Sequence, residues 1–399
     1  MSISILLLLN LLSLTTAIFS CATPAQFDKT DPDLKTVLIA ALHLQEPEQV
    51  FLHQLMFAFA KELDSGSFGE VRHFKYGEKE MVIKKIVPKG NDQIEQMQKE
   101  VELLKVMCDL ISEVVYEKLE ECKSKVIAGF KGCVEAERNL YIFQEKMDME
   151  LISEEALGIY HGLKGKKKAE VMVQITSKFE ELHKKNIIHA DIKPGNLMVK
   201  GKDLSDIRII DLGLSNYKGK TSTGGTRFFI SPEQQDDKVL GVEGDIYSLA
   251  MTFAMIEPSV GEVMGPKLAK ECFDLSEPLS DSCNNNFRKG VIEIFQNMKD
   301  CEKLVEVMSI AIDRDPKNRF ESMTDFGEAI QAAFEGRAII KKARVEKENV
   351  VMEYLNWLIR FGEKQFNRIF ASNTHSEGSE EIKNRILVER EYFGSKMII

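Results

Sequence analysis

The stretch that decides the fold is Lys184–Val199, KKNIIHADIKPGNLMV. It contains an acid, Asp191, a base two residues later, Lys193, and an amide three residues beyond that, Asn196. A second acid, Asp211, follows in IRIIDLGLS. Phosphoryl transfer requires such a set, because it needs a carboxylate to hold a hydroxyl, a cation for the moving group and oxygen ligands for magnesium. The stretch is therefore a candidate phosphoryl-transfer site, and the rest of the chain must supply the other parts.

Length and composition narrow the class of protein. With 399 residues, 44% of them hydrophobic, the chain can bury a large core in one two-lobed domain or two ordinary ones. A formal net charge of −10 argues against a nucleic-acid binder that depends on overall positive charge. The local lysine run Lys164–Lys168, KGKKK, is interpreted as a solvated loop.

The cysteines do not indicate a metal module. Their wide spacing includes no CxxC pair, which excludes the common zinc modules and is not typical of a disulfide framework. The pattern favours a reducing compartment, although the six cysteines beyond residue 22 are also able to pair. The seven are Cys21, Cys108, Cys122, Cys133, Cys272, Cys283 and Cys301.

Residues 1–23 resemble a secretory signal. An apolar run, Ile5–Leu14, is followed by the small residues Ser20 and Ala22 at the spacing that signal peptidase accepts, with cleavage after Ala22. The start of the segment carries no Lys or Arg, and the run is short for a membrane span. An apolar extension and a start codon placed too far upstream are the alternatives, so membrane association stays open. No other stretch is long and apolar enough to cross a bilayer.

The predicted secondary structure changes along the chain from strands to helices. Residues 24–56 predict one or two helices that pack on the outside of the strand-rich part. Short alternating strands are predicted over Phe57–Val87, Ser124–Phe130 and Asn139–Gln144, with one helix at Asn91–Met107. After Met147 the pattern is mostly helical, with helices at Val171–Leu182, Asp245–Ile256, Asp300–Asp313 and Met323–Phe334. A strand-rich part followed by a helix-rich part, with no internal repeat, indicates two lobes of different class.

A glycine-bearing turn and a strand lysine are further candidate parts of the site. In Asp64–Val71, DSGSFGEV, two glycines let a hairpin backbone approach a triphosphate closely. The strand VIKKI comes next, and its alternation points Lys84 inward and Lys85 to the opposite face. A buried lysine needs an acidic partner, and Glu100 on the next helix offers one. At this point the alternative, that all three are ordinary surface charges, stays open.

The order and spacing of these motifs resemble those of the eukaryotic protein kinase superfamily, from about Phe57 to Phe334. Eight motifs carry the resemblance. They are the glycine loop, the lysine of VIKK, the helix glutamate, the catalytic loop HADIKPGN (His189–Asn196), the metal-binding loop DLG (Asp211–Gly213), SPE (Ser231–Glu233) at the end of the activation segment, an aspartate in the buried helix and an arginine in DRDPKNRF. The resemblance implies an α+β, bilobal kinase fold. A β-rich N-lobe (57–147) with one regulatory helix and a mostly α-helical C-lobe (148–334) would enclose an ATP cleft. Residues 1–23, the extension 24–56 and a charged tail of helical pattern, 335–399, lie outside this domain 57–334.

The same resemblance implies roles for individual residues. Asp191 would accept the proton of the substrate hydroxyl or orient that hydroxyl, and Lys193 would contact the γ-phosphate. Asn196 and Asp211 would bind Mg²⁺ ions. The ATP-binding set would be Asp64, Ser65, Gly66, Ser67, Phe68, Gly69, Val71, Lys84, Glu100, Gln144, Glu145 and Met147, with Gln144 at the back of the adenine pocket and Glu145–Met147 as the hinge. Structural roles in and around the activation segment would fall to Gly213, Thr226, Glu233, Asp245 and Arg319, with Glu233 and Arg319 as a buried ion pair.

The resemblance also implies a substrate class. Lys193 followed by Pro194 matches serine/threonine kinases, and Thr226 matches the threonine that bridges the catalytic aspartate and lysine in that group. The expected partner is thus a protein substrate with a serine or threonine hydroxyl, although some dual-specificity kinases share both features. The oligomeric state is not indicated.

Three positions depart from the family pattern. Asp64 replaces the first glycine of the loop, and its carboxylate would be repelled by bound phosphates, which predicts a lower ATP affinity. Leu212 replaces a phenylalanine and is expected to fill the same apolar slot. Ala190 replaces an arginine that pairs with a phosphorylated activation-loop residue in the family. We therefore expect a kinase that is constitutively competent, or is controlled in another way; Thr221, Ser222 and Thr223 are phosphorylation candidates by position alone.

Two other functions compete with catalysis. A pseudokinase scaffold would keep the fold without the chemistry; the complete set of catalytic residues argues against it, while Asp64 and Ala190 argue for it. A small-molecule phosphotransferase of kinase-like fold is disfavoured by the SPE motif and its arginine partner, which belong to a segment that holds protein substrates. For localisation, the signal-like segment favours the secretory pathway or a membrane, whereas the family resemblance favours the cytoplasm.

Overall fold

The computed structural model describes residues 57, 60–66, 69–76, 79–109, 122, 124–136, 138–221, 224–236, 239, 241–260, 281–298 and 301–340. Predictions for 1–23, for 24–56, for Ser222 and Thr223 and for the tail from 341 onward lie outside these residues. Within the described ranges, no helix combines the length and the apolar character that a membrane crossing would require.

An antiparallel sheet forms the first lobe. Its five strands are β1 (Lys61–Gly66), β2 (Gly69–Tyr76), β3 (Lys79–Ile86), β4 (Phe130–Ala136) and β5 (Asn139–Glu145), in the spatial order β1-β2-β3-β5-β4. Alternation along β3 separates its two faces, as expected for a strand. On the outer face, Ile83 packs in a small cluster around Phe57 and Tyr141. The inner face turns toward the second lobe.

One helix, α1 (Asn91–Met107), accompanies this sheet and has the predicted bounds. Its apolar positions recur at helical spacing, so Met97, Leu103, Leu104 and Met107 are buried together. Glu100 is buried on the same side, with 3% of its surface exposed. A helix that buries a carboxylate along its apolar face must provide that carboxylate with a partner.

Helices form most of the second lobe. They are α2 (Glu154–Gly162), α3 (Lys166–Lys184), α4 (Pro232–Gln235), α5 (Val242–Met255), α6 (Asp281–Gln296), α7 (Leu304–Ala311) and α8 (Met323–Phe334). Small sheets lie between them, with β6 (Met149–Glu150), β8 (Leu197–Val199) and β9 (Ile207–Ile209) in one, and β7 (Ile187–Ile188) and β10 (Asn216–Tyr217) in the other. Nearly every residue of α5 is buried, so this helix is the centre of the lobe. The arrangement is the bilobal α+β kinase fold that the resemblance implies.

The segment predicted as a strand over Ser124–Phe130 is not one; β4 begins at Phe130. The backbone of this segment instead contacts β9 of the second lobe, because Ile209 donates to the carbonyl oxygen of Val126 (2.9 Å) and accepts from the amide of Ala128 (2.9 Å). An alternating apolar pattern indicates an extended chain. It does not distinguish a strand within a sheet from an extended segment that makes only a few backbone hydrogen bonds to the other lobe.

The interpretation of one charged segment is wrong in part, and two of the cysteines are paired. The lysine run Lys164–Lys168 is not wholly a solvated loop, since α3 begins at Lys166 and Lys168 is buried. Cys108, at the end of α1, forms a disulfide with Cys122, with 5.0 Å between the Cα atoms. The cysteines therefore form at least one covalent link, a pairing that the sequence left open.

Candidate functional site

A cavity of about 610 Å³ lies between the two lobes. Nine of the predicted site residues line it: Gly69, Val71, Lys84, Gln144, Glu145, Met147, Lys193, Asn196 and Asp211. Lys146, inside the predicted hinge Glu145–Met147, lines it as well. The sequence interpretation missed the other lining residues, namely Leu63, Val82, Ala128, Asp148, Met149, Glu150, Gly195, Met198 and Ile210. Of these, Val82 could have been found, because strand alternation places it on the same face as Lys84.

Lys84 joins the two lobes at the back of this cavity. Its Nζ lies 2.8 Å from Oε1 of Glu100 on α1 and 2.8 Å from Oδ1 of Asp211, which follows β9. Burial alone would lower the pKa of Lys84, but the two carboxylates outweigh that effect and raise it. Burial also works against the charge of Asp211, yet Lys84 holds the pKa of Asp211 below its usual value. The lysine is therefore a fixed cation in the lining of the cavity.

The neighbouring lysine has a different environment. Nζ of Lys85 lies 5.6 Å from the ring centre of Phe57 and 5.9 Å from that of Tyr141, on the outer face of the sheet. The two lysines thus point to opposite faces of β3. The ion pair with Glu100 is made by Lys84 alone of the two.

The glycine turn is described in part. Ser67 and Phe68 lie outside the described residues, as do the side chains of Asp64 and Ser65. Gly69 has φ +123°, and a Cβ atom there would lie 2.1 Å from the carbonyl oxygen of Lys85. The strand β2 can therefore approach β3 only with glycine at this position.

Asp191 is the centre of a dense hydrogen-bond cluster. Its Oδ1 accepts from the backbone amide (2.8 Å) and the hydroxyl (2.6 Å) of Thr226. Its Oδ2 accepts from Nζ of Lys193 (2.8 Å) and from the amide of Asn196 (3.2 Å). Lys193 also donates to the hydroxyl of Thr226 at 2.9 Å. The four residues thus form one unit, although they come from two separate stretches of chain.

Asp245, near the start of α5, fixes the backbone beneath this cluster. Its carboxylate accepts from the amides of His189 (2.8 Å) and Ala190 (2.9 Å), and from Nε2 of His183 (2.8 Å). The side chain is 1% exposed, so these bonds are shielded from water. The loop that carries Asp191 is consequently attached to the most buried helix of the lobe.

A second buried ion pair anchors the segment that carries Thr226. Arg319 donates to both carboxylate oxygens of Glu233, at 2.6 and 2.8 Å, and its side chain is fully buried. The guanidinium also donates to the carbonyl oxygen of Glu243 and lies 4.9 Å from the ring centre of Tyr247. Such bidentate geometry fixes orientation as well as distance.

Helix α1 is attached to the residues after Asp211 by contacts that the sequence did not reveal. The side-chain amide of Gln96 donates to the carbonyl oxygen of Gly213 at 2.6 Å, and the hydroxyl of Tyr217 donates to Glu102 at 2.7 Å. Leu212, directly before Gly213, is 1% exposed in the main core. The helix therefore follows the Asp211 segment closely, which keeps Glu100 within reach of Lys84.

The cavity fits a nucleotide with a hard divalent cation. Asn196 uses its amide nitrogen for Asp191, and Asp211 uses Oδ1 for Lys84 and for the amide of Gly213. These bonds do not involve Oδ1 of Asn196 or Oδ2 of Asp211, and both are oxygen donors of the type that Mg²⁺ prefers. Apolar side chains such as Val71, Val82 and Met198 line other parts of the cavity, as an adenine ring would require.

Asp191 itself is not in the cavity lining, but it contacts Lys193 and Asn196, which are. A bilobal fold whose interlobe cavity holds a cation and two oxygen donors, next to such a carboxylate, defines a phosphotransferase class of protein. Comparison with protein-family models agrees with this class: residues 57–323 match the protein kinase domain. That range is about two thirds of the chain, and the chain belongs to the protein kinase family. The described second lobe continues beyond it through α8 to Phe334.

Proposed function

We propose that this chain is an active, ATP-dependent protein kinase that phosphorylates serine and threonine hydroxyls. The observation that carries the proposal is the joint contact of Asp191 with Thr226, Lys193 and Asn196. Lys193 and Asn196 line the same cavity as Lys84, which is paired with Glu100 and Asp211. A scaffold would not require these separate stretches of chain to meet. The family membership supports phosphotransfer in general, and the finer assignment rests on these residues.

Asp191 would position the acceptor hydroxyl. A carboxylate offers about four acceptor positions, and Thr226, Lys193 and Asn196 together supply that number of donors. A substrate hydroxyl would therefore take the place of one donor. Lys193 is the best suited to leave, because it has a long side chain that is 26% exposed, whereas Asn196 is buried. Its departure would free an acceptor position on Oδ2 and release the ammonium group for the phosphate side of the reaction.

Lys84, Asn196 and Asp211 would hold the nucleotide. Lys84 is kept charged by its two carboxylate partners and would bind phosphate oxygens, and Asn196 with Asp211 would hold Mg²⁺. Bound ATP with Mg²⁺ supplies the phosphoryl group and neutralises its charge during transfer. The contribution of the protein is to position these groups and to exclude water from them.

Serine and threonine are favoured as acceptors by the contacts of Thr226. Its hydroxyl connects Asp191 and Lys193, which is the arrangement that the resemblance associates with serine/threonine kinases. Analysis of phosphorylated amino acids in a mixed-sequence peptide library tests this assignment. Phosphotyrosine as the main product would contradict it.

Catalysis is tested by ATP-dependent phosphorylation of a generic protein substrate. We expect Asp191→Asn to lower kcat by roughly two or more orders of magnitude, because the amide cannot accept a proton or orient the hydroxyl in the same way. The matched control is Asp203→Asn, which changes an exposed carboxylate. Equal incorporation by wild type and Asp191→Asn would favour the pseudokinase alternative instead.

A further inference from the structure

The amide side chain of Gln234 connects the two stretches of chain that form the Asp191 cluster. Gln234 lies in α4, directly after Glu233, and is 5% exposed. Its Nε2 donates to the carbonyl oxygen of Ala190 at 2.7 Å and to that of Gly224 at 2.7 Å. Ala190 precedes Asp191, and Gly224 lies two residues before Thr226. One amide group therefore bonds both backbones beside the contact between Asp191 and Thr226.

The backbone at Ala190 depends on such support. Ala190 has φ +65°, a left-handed conformation that is unfavourable for a residue with a Cβ atom. Strained conformations persist where the surroundings fix them. Here Asp245 accepts from the amide of Ala190, and Gln234 donates to its carbonyl oxygen. Two buried side chains thus hold the peptide groups on either side of the strained residue.

The activation segment leaves space for this amide. A Cβ atom on Gly225 would lie 3.1 Å from Nε2 of Gln234 and 3.2 Å from a side-chain carbon of Ile230. A side chain at position 225 would therefore press on the amide. The backbone fits closely around the amide, and the two carbonyl groups that accept from it, those of Ala190 and Gly224, carry no net charge.

We propose that Gln234 is a positioning residue, whose amide holds the activation segment against the catalytic loop without any phosphate group. This inference rests on the proposed function. In other members of the family, the resemblance implies, the activation segment is held by an arginine, which stands where this chain has Ala190, and by a phosphorylated residue that pairs with it. In this chain the position is alanine, and a neutral donor reaches the backbone of the same residue. The chain thereby keeps Asp191 and Thr226 together in its unmodified form.

The proposal is tested on the full chain after phosphatase treatment. Gln234→Met keeps the length of the side chain but removes both hydrogen bonds, and we expect kcat to fall about tenfold or more. The KM for ATP should change less than about twofold, since Lys84 and the cavity are untouched. The matched control is Gln235→Met, which changes the adjacent glutamine in the same way. The side chain of Gln235 donates to the carbonyl oxygen of Ile230 (3.4 Å), which belongs to the activation segment itself and not to the catalytic loop. The control should behave like wild type.

A second variant separates positioning from folding. In Gln234→Glu the carboxyl group faces two carbonyl oxygens, so it can donate a hydrogen bond only when protonated. The ratio of its activity to that of wild type should rise as the pH falls, whereas Gln234→Met should show a flat ratio. The ratio is used because the other ionisable groups are present in both proteins, so their effect on activity largely cancels when the variant is divided by wild type at the same pH. A flat ratio for Gln234→Glu, or equal kcat for Gln234→Met and Gln235→Met, would overturn the inference, whereas an inactive wild type would overturn the proposed function.

Discussion

His189 is a single buried residue whose protonation should affect stability. The ring is 1% exposed, and its Nδ1 accepts from the amide of Asp191 at 3.3 Å. Burial lowers the pKa of His189 below its ordinary 6.5, although the carboxylates of Asp245, Asp191 and Asp211 and the backbone of Ile210 oppose the shift. The folded protein therefore binds fewer protons at this site than the unfolded chain does.

We expect the free energy of unfolding to decrease as the pH falls below about 6.5, by up to about 1.4 kcal/mol per pH unit from this residue. The decrease should continue until the pH reaches the lowered pKa of the folded state. Urea unfolding of wild type, His189→Gln and the control His161→Gln between about pH 5 and pH 7.5 measures it. His189→Gln should flatten the slope of the free energy of unfolding against pH, and the exposed His161 serves to show any general effect of replacing a histidine. Equal slopes for wild type and His189→Gln would show that the residue does not titrate as inferred.

The sequence predicts residues whose position follows from a local rule. Alternation along one strand was sufficient to separate Lys84 from Lys85, because each strand residue points away from its neighbours. Gln234 obeys no such rule, since its partners are backbone atoms 44 and 10 residues away along the chain. A backbone acceptor has no sequence signature. Contacts of this kind become visible only when the fold is known.

Among the helices, α2 and α3 are joined by a buried cluster at the end of α5. Nζ of Lys168 lies 2.5 Å from Oε2 of Glu257, and the hydroxyl of Tyr160 donates to Oε1 at 2.8 Å. The side chains of Lys168 and Glu257 are 7% and 0% exposed. Removal of one partner would leave the other charge buried without compensation.

We therefore expect Lys168→Met to lower the free energy of unfolding by about 3–5 kcal/mol. Lys166→Met is the matched control on the same helix, because Lys166 forms an exposed pair with Glu170 at 3.8 Å and should matter little. The double variant Lys168→Met/Glu257→Gln should recover much of the loss, since no charge stays buried and the amide oxygen can still accept from the hydroxyl of Tyr160. Denaturant unfolding of the variants decides the point, and equal stability of the two single lysine variants would rule out a buried pair of this strength.

Long periodic helices were predicted well, while shorter or charged segments were not. The bounds of α1 and α8 follow from apolar residues repeated over several turns, a signal that persists even when single positions are polar. The start of α7 at Leu304 is later than predicted, and α3 begins inside the lysine run. Charge favours a solvated surface on average, but it does not reveal that Glu257 lies opposite Lys168. Whether a charged side chain such as Lys168 is exposed or buried depends on partners that are far away in the sequence.

At the level of the whole molecule, the two lobes meet at Lys84. It is bonded to α1 of the first lobe through Glu100 and to the second lobe through Asp211. A nucleotide that binds in the cavity between the lobes should stabilise both together, by about 2.7 kcal/mol when its concentration is 100 times Kd. This linkage does not require turnover, so it tests nucleotide binding separately from catalysis.

We expect ATP with Mg²⁺ to raise the Tm of wild type and of Lys85→Met, but to have little effect on Lys84→Met. Lys85 makes a suitable control because it is the adjacent residue with the same charge, and its ammonium group lies over Phe57 and Tyr141 on the other face of the sheet. Thermal unfolding with and without nucleotide measures the shift for each protein against its own baseline, which corrects for any loss of stability caused by the substitution itself. A shift in Lys84→Met as large as in wild type would mean that the nucleotide binds without Lys84, and the site would have to be assigned to other residues of the cavity.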